Sequence, residues 1–359
     1  MLFKRKSIKL DENVYKYFVQ KQENHAIICI YIFLEVILMT EPMFLKPVFQ
    51  EKIWGGDRLN TVYGYDIPSD HTGECWAISA HKHGPATVIN GPYKGLTLDE
   101  VWDKHREAFG NAEGDVFPLL TKILDAKKDL SVQVHPDDAY AEEHEHELGK
   151  TECWYILAAD EGAQMYYGHH ANSREELAEM IENHEWDKLL RKVPVKPGDF
   201  LYVPSGTIHA IGAGIMVLET QQSSDTTYRL YDFDRVDATT GQKRELHIKQ
   251  SIDVTNVPHV DPKIDRKEYK VGDAEVTRFV STDFFAVYRW VLKGGSATFK
   301  REEAPYTLVS VLDGKGKLTV DGKDYEIEKG VHFVLPFDVK EWTVSGNVMI
   351  IASEPGQKA

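Results

Sequence analysis

Apolar residues in this chain of 359 recur mostly at every second position and in short runs, the spacing of strands that bury one face. Ser131-Val132-Gln133-Val134-His135 puts Val132 and Val134 on one face and Ser131, Gln133 and His135 on the other. Lys150 to Leu157 reads as a second strand, with Lys150 and Glu152 sharing a face. Phe200 to Val203 is a third; Pro204-Ser205-Gly206 then reverses the chain, and His209 starts the returning strand. Two stretches have helical spacing instead. Ser173 and Glu176 form a capping box opening a helix expected to reach about Leu190, with Leu177, Met180, Ile181 and Leu189 inward. Thr97-Leu98-Asp99-Glu100 opens another, to about Phe109. Near the C-terminus, Val311 to Lys323 reads as two strands around turn glycines.

Charge narrows the partners. With 42 basic and 57 acidic side chains the net charge is −15, which argues against nucleic acid or an anionic membrane as the main ligand. The cysteines, Cys29, Cys75 and Cys153, are odd in number and unrelated in spacing, so neither a disulfide framework nor a thiolate metal site is indicated and a reducing cytoplasm is expected. Residues 1–38 stand apart: a polar, basic head precedes an apolar run, Ala26 to Met39, that is too short for a comfortable membrane span and lacks a small-x-small cleavage site. They are expected to be a non-native or translated leader, with Met39 the true start and Leu34-Glu35-Val36 a ribosome-binding sequence read in frame.

Residues 198–209 carry the chemistry. Gly198, five residues, Pro204, one residue, Gly206, two residues and His209 resemble the second motif of the cupin superfamily, whose small β-barrels often hold a metal. A metal there needs partners on neighbouring strands, and His135 and Glu152 supply them, with Gln133 able to add an amide oxygen. Two imidazoles and a carboxylate suit Zn²⁺ in an open, catalytic site. The same set also suits non-haem Fe(II), so an Fe(II) cupin oxygenase is an alternative, as is a non-catalytic sugar-binding cupin.

Gln133-x-His135-Pro136, the late Lys150-x-Glu152 and His209 resemble the type I phosphomannose isomerases in their short bacterial form. So do Pro47–Gly56, Gly73–Ser79, Phe117–Ala126 and Asp225–Asp232, and the likeness runs from about residue 41 to the end. It implies a mainly β fold of two cupin-type, jelly-roll barrels with helical decoration in the first half: residues 39–257 catalytic, 258–359 a barrel that has lost its metal. In that second barrel Gly330, five residues and Pro336 repeat the motif's start, while Asp338, Glu341 and Thr307 fall where Gly206, His209 and the glutamate would stand. The resemblance further implies interconversion of mannose 6-phosphate and fructose 6-phosphate through an enediol(ate), with one zinc per subunit on Gln133, His135, Glu152 and His209. Glu219 is assigned to proton transfer and Arg229 to the developing oxyanion, with Lys150 handling a substrate oxygen or proton and Ser131 near the phosphate. The sugar phosphate is the expected partner, and a monomer is the favoured state. The acidic run Glu142–Glu147 is expected to be solvated surface despite its His144-x-His146.

Overall fold

The computed structural model describes residues 41–236 and 240–359, so the proposed leader, Met39 and Cys29 lie outside the described residues. Three sheets account for the alternating pattern. In the first half, a six-stranded sheet runs in the order Phe200–Val203, Glu152–Ala159, Ile215–Gln222, Leu119–Ala126, Val48–Gly56, Thr72–Ile78. Against it lies a five-stranded sheet ordered Tyr228–Tyr231, Val132–Val134, His209–Ala210, Gln164–His169, Leu190–Pro194. Trp54, Leu124, Trp154 and Ile156 from the first sheet pack on Met165, Tyr167 and Ile211 from the second, closing one end of the space between them.

The outer faces are covered as the alternation demands. Val132 and Val134 turn away from the inter-sheet space and pack under Leu177, Ile181 and Leu189. Those residues were expected on one helix; the structure has two, Arg174–Glu182 and Trp186–Leu189. Asn183 caps the first and His184 takes a φ of 55°, a left-handed conformation that no helix continues through. The Thr97 capping box is present, but its α-helix ends at Lys104 and a 3₁₀ turn carries the chain to Phe109.

A nine-stranded sheet forms the C-terminal half. Of the glycines between Val311 and Lys323 only Gly322 makes the reversal, with Val320 opposite Lys323. Gly314 sits inside a continuous strand, Thr307–Val320, next to a register shift where the strand bends around its partner. Thr307 pairs with Leu335, just before Pro336, as Glu152 pairs with Val203, just before Pro204. Strands Met43–Lys46 and Thr87–Val88, from the start of the chain, extend this same sheet. The two halves share a core in which Cys75, Leu119, Cys153 and Leu218 meet Phe279, Phe285, Leu308 and Val334.

Candidate metal centre

Register alone brings the proposed site residues together. In the five-stranded sheet Gln133 lies between His209 on one side and Arg229 on the other. In the facing sheet Trp154, Glu219, Lys122 and Trp76 form a row across four strands, and Glu152 sits two residues before Trp154 on the same face. Gln133, His209 and Arg229 from one row and Trp154, Glu219 and Lys122 from the other line a cavity of about 230 Å³, with Ser131 and Lys150 also among its walls.

At one end, His135, Glu152 and His209 converge with ligand atoms all within 4.8 Å of one another, the only such cluster of three among the described residues. Each imidazole is oriented by a backbone carbonyl: His135 Nδ1 donates to Thr226 O at 2.9 Å and His209 Nδ1 to Thr207 O at 2.8 Å. Both Nε2 lone pairs therefore face inward as acceptors. Glu152 Oε1 and Oε2 lie 3.3 Å from His209 Nε2 and 3.4 Å from His135 Nε2, and Oε1, fully buried, has no hydrogen-bond donor. A buried carboxylate oxygen left without a donor beside two inward-facing imidazole lone pairs is a set that a divalent metal would satisfy. The Gln133 amide reaches both Nε2 atoms, at 3.3 and 3.5 Å, so reversed about its terminal torsion it presents oxygen to the same point.

Lys150 stands beside this group. Its Nζ donates to Glu152 Oε2 at 2.7 Å and to His135 Nε2 at 3.0 Å. Burial opposes its charge, but the Glu152 and Glu219 carboxylates outweigh that and hold its pKa above the ordinary lysine value. Burial, helped by the Lys150 charge, pushes His135 well down, and burial brings His209 to about 4, so both rings are neutral at pH 7, as metal ligands must be.

The rest of the cavity is unusually rich in charge. Glu219 is buried, its Oε2 accepts from Trp154 Nε1 at 2.8 Å, and burial and then the neighbouring Glu152 charge raise its pKa. Arg229 has no carboxylate within 4 Å among the described residues; burial and then the nearby Arg244 lower its pKa, while its Nη1 donates to Glu245 O. Arg244 is gripped by Asp232 through two hydrogen bonds, at 2.9 and 2.7 Å.

Five charged lining residues carry no role in the sequence reading: Lys52, Glu74, Lys122, Asp225 and Arg244. Lys122 is buried with its ammonium 4.5 Å from the Trp76 ring centre and 3.9 Å from Glu74. Burial raises the Glu74 carboxyl, but Lys122, Lys52 and the Trp76 indole pull it down to about 2. A lone charge inside an apolar run, Leu119-Leu120-Thr121-Lys122-Ile123-Leu124, is the signal that points to Lys122. No local pattern points to Arg244, which reaches the cavity through the course of a loop. The His144 and His146 side chains are exposed, but Glu147, in the same acidic run, is largely buried.

A mainly β chain with a buried His-Glu-His cluster able to hold a metal beside a charged cavity has the character of a cupin enzyme. Residues 43–185 match the family model for the catalytic domain of phosphomannose isomerase type I, and residues 275–355 that for the cupin domain of mannose-6-phosphate isomerase. The chain is 56% identical over 319 residues to the mannose-6-phosphate isomerase of Streptococcus mutans, covering 89% of this chain and 100% of that one. It is 53% identical to mannose-6-phosphate isomerase ManA of Bacillus subtilis, over 88% of this chain and 99% of that one. The crystal structure of a Bacillus subtilis mannose 6-phosphate isomerase superposes with a TM-score of 0.84 at 51% identity, covering 87% of this chain and 99% of that one. A mutant phosphomannose isomerase from Salmonella typhimurium, 16% identical over 88% of this chain and 100% of its own, shares the fold with a TM-score of 0.69. The chain belongs to the type I phosphomannose isomerase family. Among the described residues no helix is long and apolar enough to cross a membrane.

Proposed function

We propose that this chain interconverts mannose 6-phosphate and fructose 6-phosphate through an enediol(ate), with zinc held by His135, Glu152 and His209 and assisted by Gln133. One observation carries this reading: within a chain of that family, the three-ligand centre, a carboxylate of raised pKa and two guanidiniums converge on one cavity. Zinc, when bound, would act as a Lewis acid on the oxygens of the reacting carbons.

The protein's own groups do the rest. Isomerisation moves a proton from C2 to C1 and a hydroxyl proton from O2 to O1, with no net redox change. Glu219 is the candidate for the carbon proton: its raised pKa makes it a stronger base, and the Trp154 bond to Oε2 leaves Oε1 for the substrate. Lys150 is placed to exchange the hydroxyl proton. Arg229, which has no carboxylate within 4 Å among the described residues, suits the developing oxyanion or the phosphate. Arg244 and Ser131 extend that cationic and hydrogen-bonding wall toward the phosphate. Purified protein of known metal content, incubated with mannose 6-phosphate, should form fructose 6-phosphate. Failure to do so with zinc bound would refute the assignment, and iron in its place would favour oxygen chemistry instead.

A further inference from the structure

The side chain of Glu147 is one of the least solvated in its acidic run, only 16% exposed, and its carboxylate ties three segments together. Lys82 Nζ pairs with Oε1 at 2.9 Å, and His81 Nε2 lies 3.8 Å from the same oxygen, so the loop around residues 81–83 is held on one side. On the other side Oε2 accepts from Thr226 Oγ1 at 3.1 Å, and from Ser224 Oγ and the Asp225 backbone N–H, both at 3.4 Å. Glu147 itself begins the stretch that leads into Lys150 and Glu152. The gripped turn, 224–226, supplies the carbonyl of Thr226, and that carbonyl is the acceptor that orients His135 Nδ1. Asp225 and Thr227, flanking it, line the cavity.

We infer that Glu147 is a positioning residue for the metal centre, acting through Thr226 to keep the His135 lone pair aimed inward. The inference rests on the proposed metal ligation. A carbonyl orients an imidazole only if its own backbone is fixed, and such outer partners typically govern metal affinity by about 10- to 100-fold. The turn has other supports: Gln221 Nε2 donates to the carbonyls of Gln222 and Ser224, both at 2.7 Å, and Thr226 N donates to Ser224 Oγ. These hold the start of the turn. Among the described residues, and apart from His135 itself, Glu147 is the side chain of another segment that hydrogen-bonds Thr226. Its carboxylate also fastens the turn to the loop that leads into the strand bearing Glu152, so two proposed ligands on different sheets keep a common reference.

The test is zinc affinity, measured on the metal-stripped full-length chain by competition with a chromophoric chelator. Glu147→Ala should bind zinc about 10-fold more weakly, whereas Glu147→Gln, whose amide oxygen still accepts from Thr226 and the Asp225 N–H, should stay within about 3-fold of the parent. Thr226→Val should also weaken zinc, and adding it to Glu147→Ala should cost little more, since both changes break one connection. Unaltered zinc affinity in Glu147→Ala, with only a lower melting temperature of the metal-free protein, would reduce Glu147 to a structural brace and overturn the inference. Should Glu147→Ala fail to fold, unchanged affinity in Thr226→Val would overturn it equally. The parent and His135→Ala serve as references: if the parent takes up no zinc, or His135→Ala binds it as well, the metal assignment itself falls and this inference with it.

Discussion

At the scale of single residues, the proposed centre is a set of converging lone pairs able to hold a metal, and each contributor should be unequal in a stated way. His135→Ala, Glu152→Ala and His209→Ala should each lose tightly bound zinc and nearly all isomerisation, while Gln133→Ala, which removes only a neutral amide, should be milder in both. Metal analysis beside turnover decides this, and full zinc occupancy in a folded His209→Ala protein would contradict it. Arg229 tests the mechanism. If its guanidinium acts mainly on the developing charge, Arg229→Ala should keep fold and zinc and lower kcat by on the order of 10²-fold, with less change in KM, and Arg229→Lys should recover little. A normal kcat with a much higher KM would assign Arg229 to the phosphate in the ground state. The ligand candidates were legible because glycine and proline at fixed spacing mark where His209 must emerge, and alternation puts Gln133 and His135 on one face. Lys122 and Glu74 were harder. Each is a charge within a buried strand, but that they answer one another follows only from the register of two adjacent strands, which no local pattern records.

At the scale of elements, the turn before His209 shows why its glycine is needed. Gly206 has a φ of 79°, and a Cβ there would lie 2.4 Å from Asn256 Nδ2 and 2.8 Å from Val254 O. Its N–H donates to His135 O at 2.8 Å, so the same turn clamps the backbone of a proposed ligand. Gly206→Ala should therefore destabilise the protein by about 1–3 kcal/mol and weaken zinc binding as well, read from denaturant midpoints and chelator competition. A stable variant with weak zinc would show the strain to be taken up entirely at His135. Other elements were less legible from sequence. The helix expected through Leu190 breaks at Asn183 and His184, both weak helix formers that tolerate a cap or a left-handed turn, and Leu189 then packs under the five-stranded sheet while Leu190 begins its edge strand. Likewise Gly314 reads as a turn but serves a bend, because the Asn347 carbonyl passes 2.0 Å from where its Cβ would be.

At the scale of the whole molecule, the two halves are joined by a buried polar link as well as by the shared apolar core. Tyr65, from the first half, donates from its hydroxyl to Gly330 O at 2.9 Å and lies 2.7 Å from His332 Nε2, while His332 Nδ1 meets Ser310 Oγ at 2.9 Å. This satisfies a neutral imidazole completely: Nε2–H donates to Tyr65 and Nδ1 accepts from Ser310. Burial pushes the His332 pKa down to about 3, far below the unfolded value of about 6.5. Because the folded pKa is the lower one, the unfolded chain binds the extra proton between these limits. The contribution is complete above about pH 6.5 and is lost as pH falls toward about 3, by up to about 1.4 kcal/mol per pH unit. Burial also lowers His81 and His169, so they add to the same slope, and Glu74 joins only below about pH 4.5, where its unfolded form takes up a proton. Stability of the zinc-loaded protein, measured by denaturant unfolding from pH 7 to pH 4.5, should therefore fall with pH, and His332→Gln, less stable at neutral pH, should show a slope shallower by about one proton. An identical slope in the variant would mean that His332 is protonated in the folded barrel or already solvated, and the halves would then be held by the pairing of Met43–Lys46 with His332–Leu335 and by the shared apolar core rather than by this imidazole.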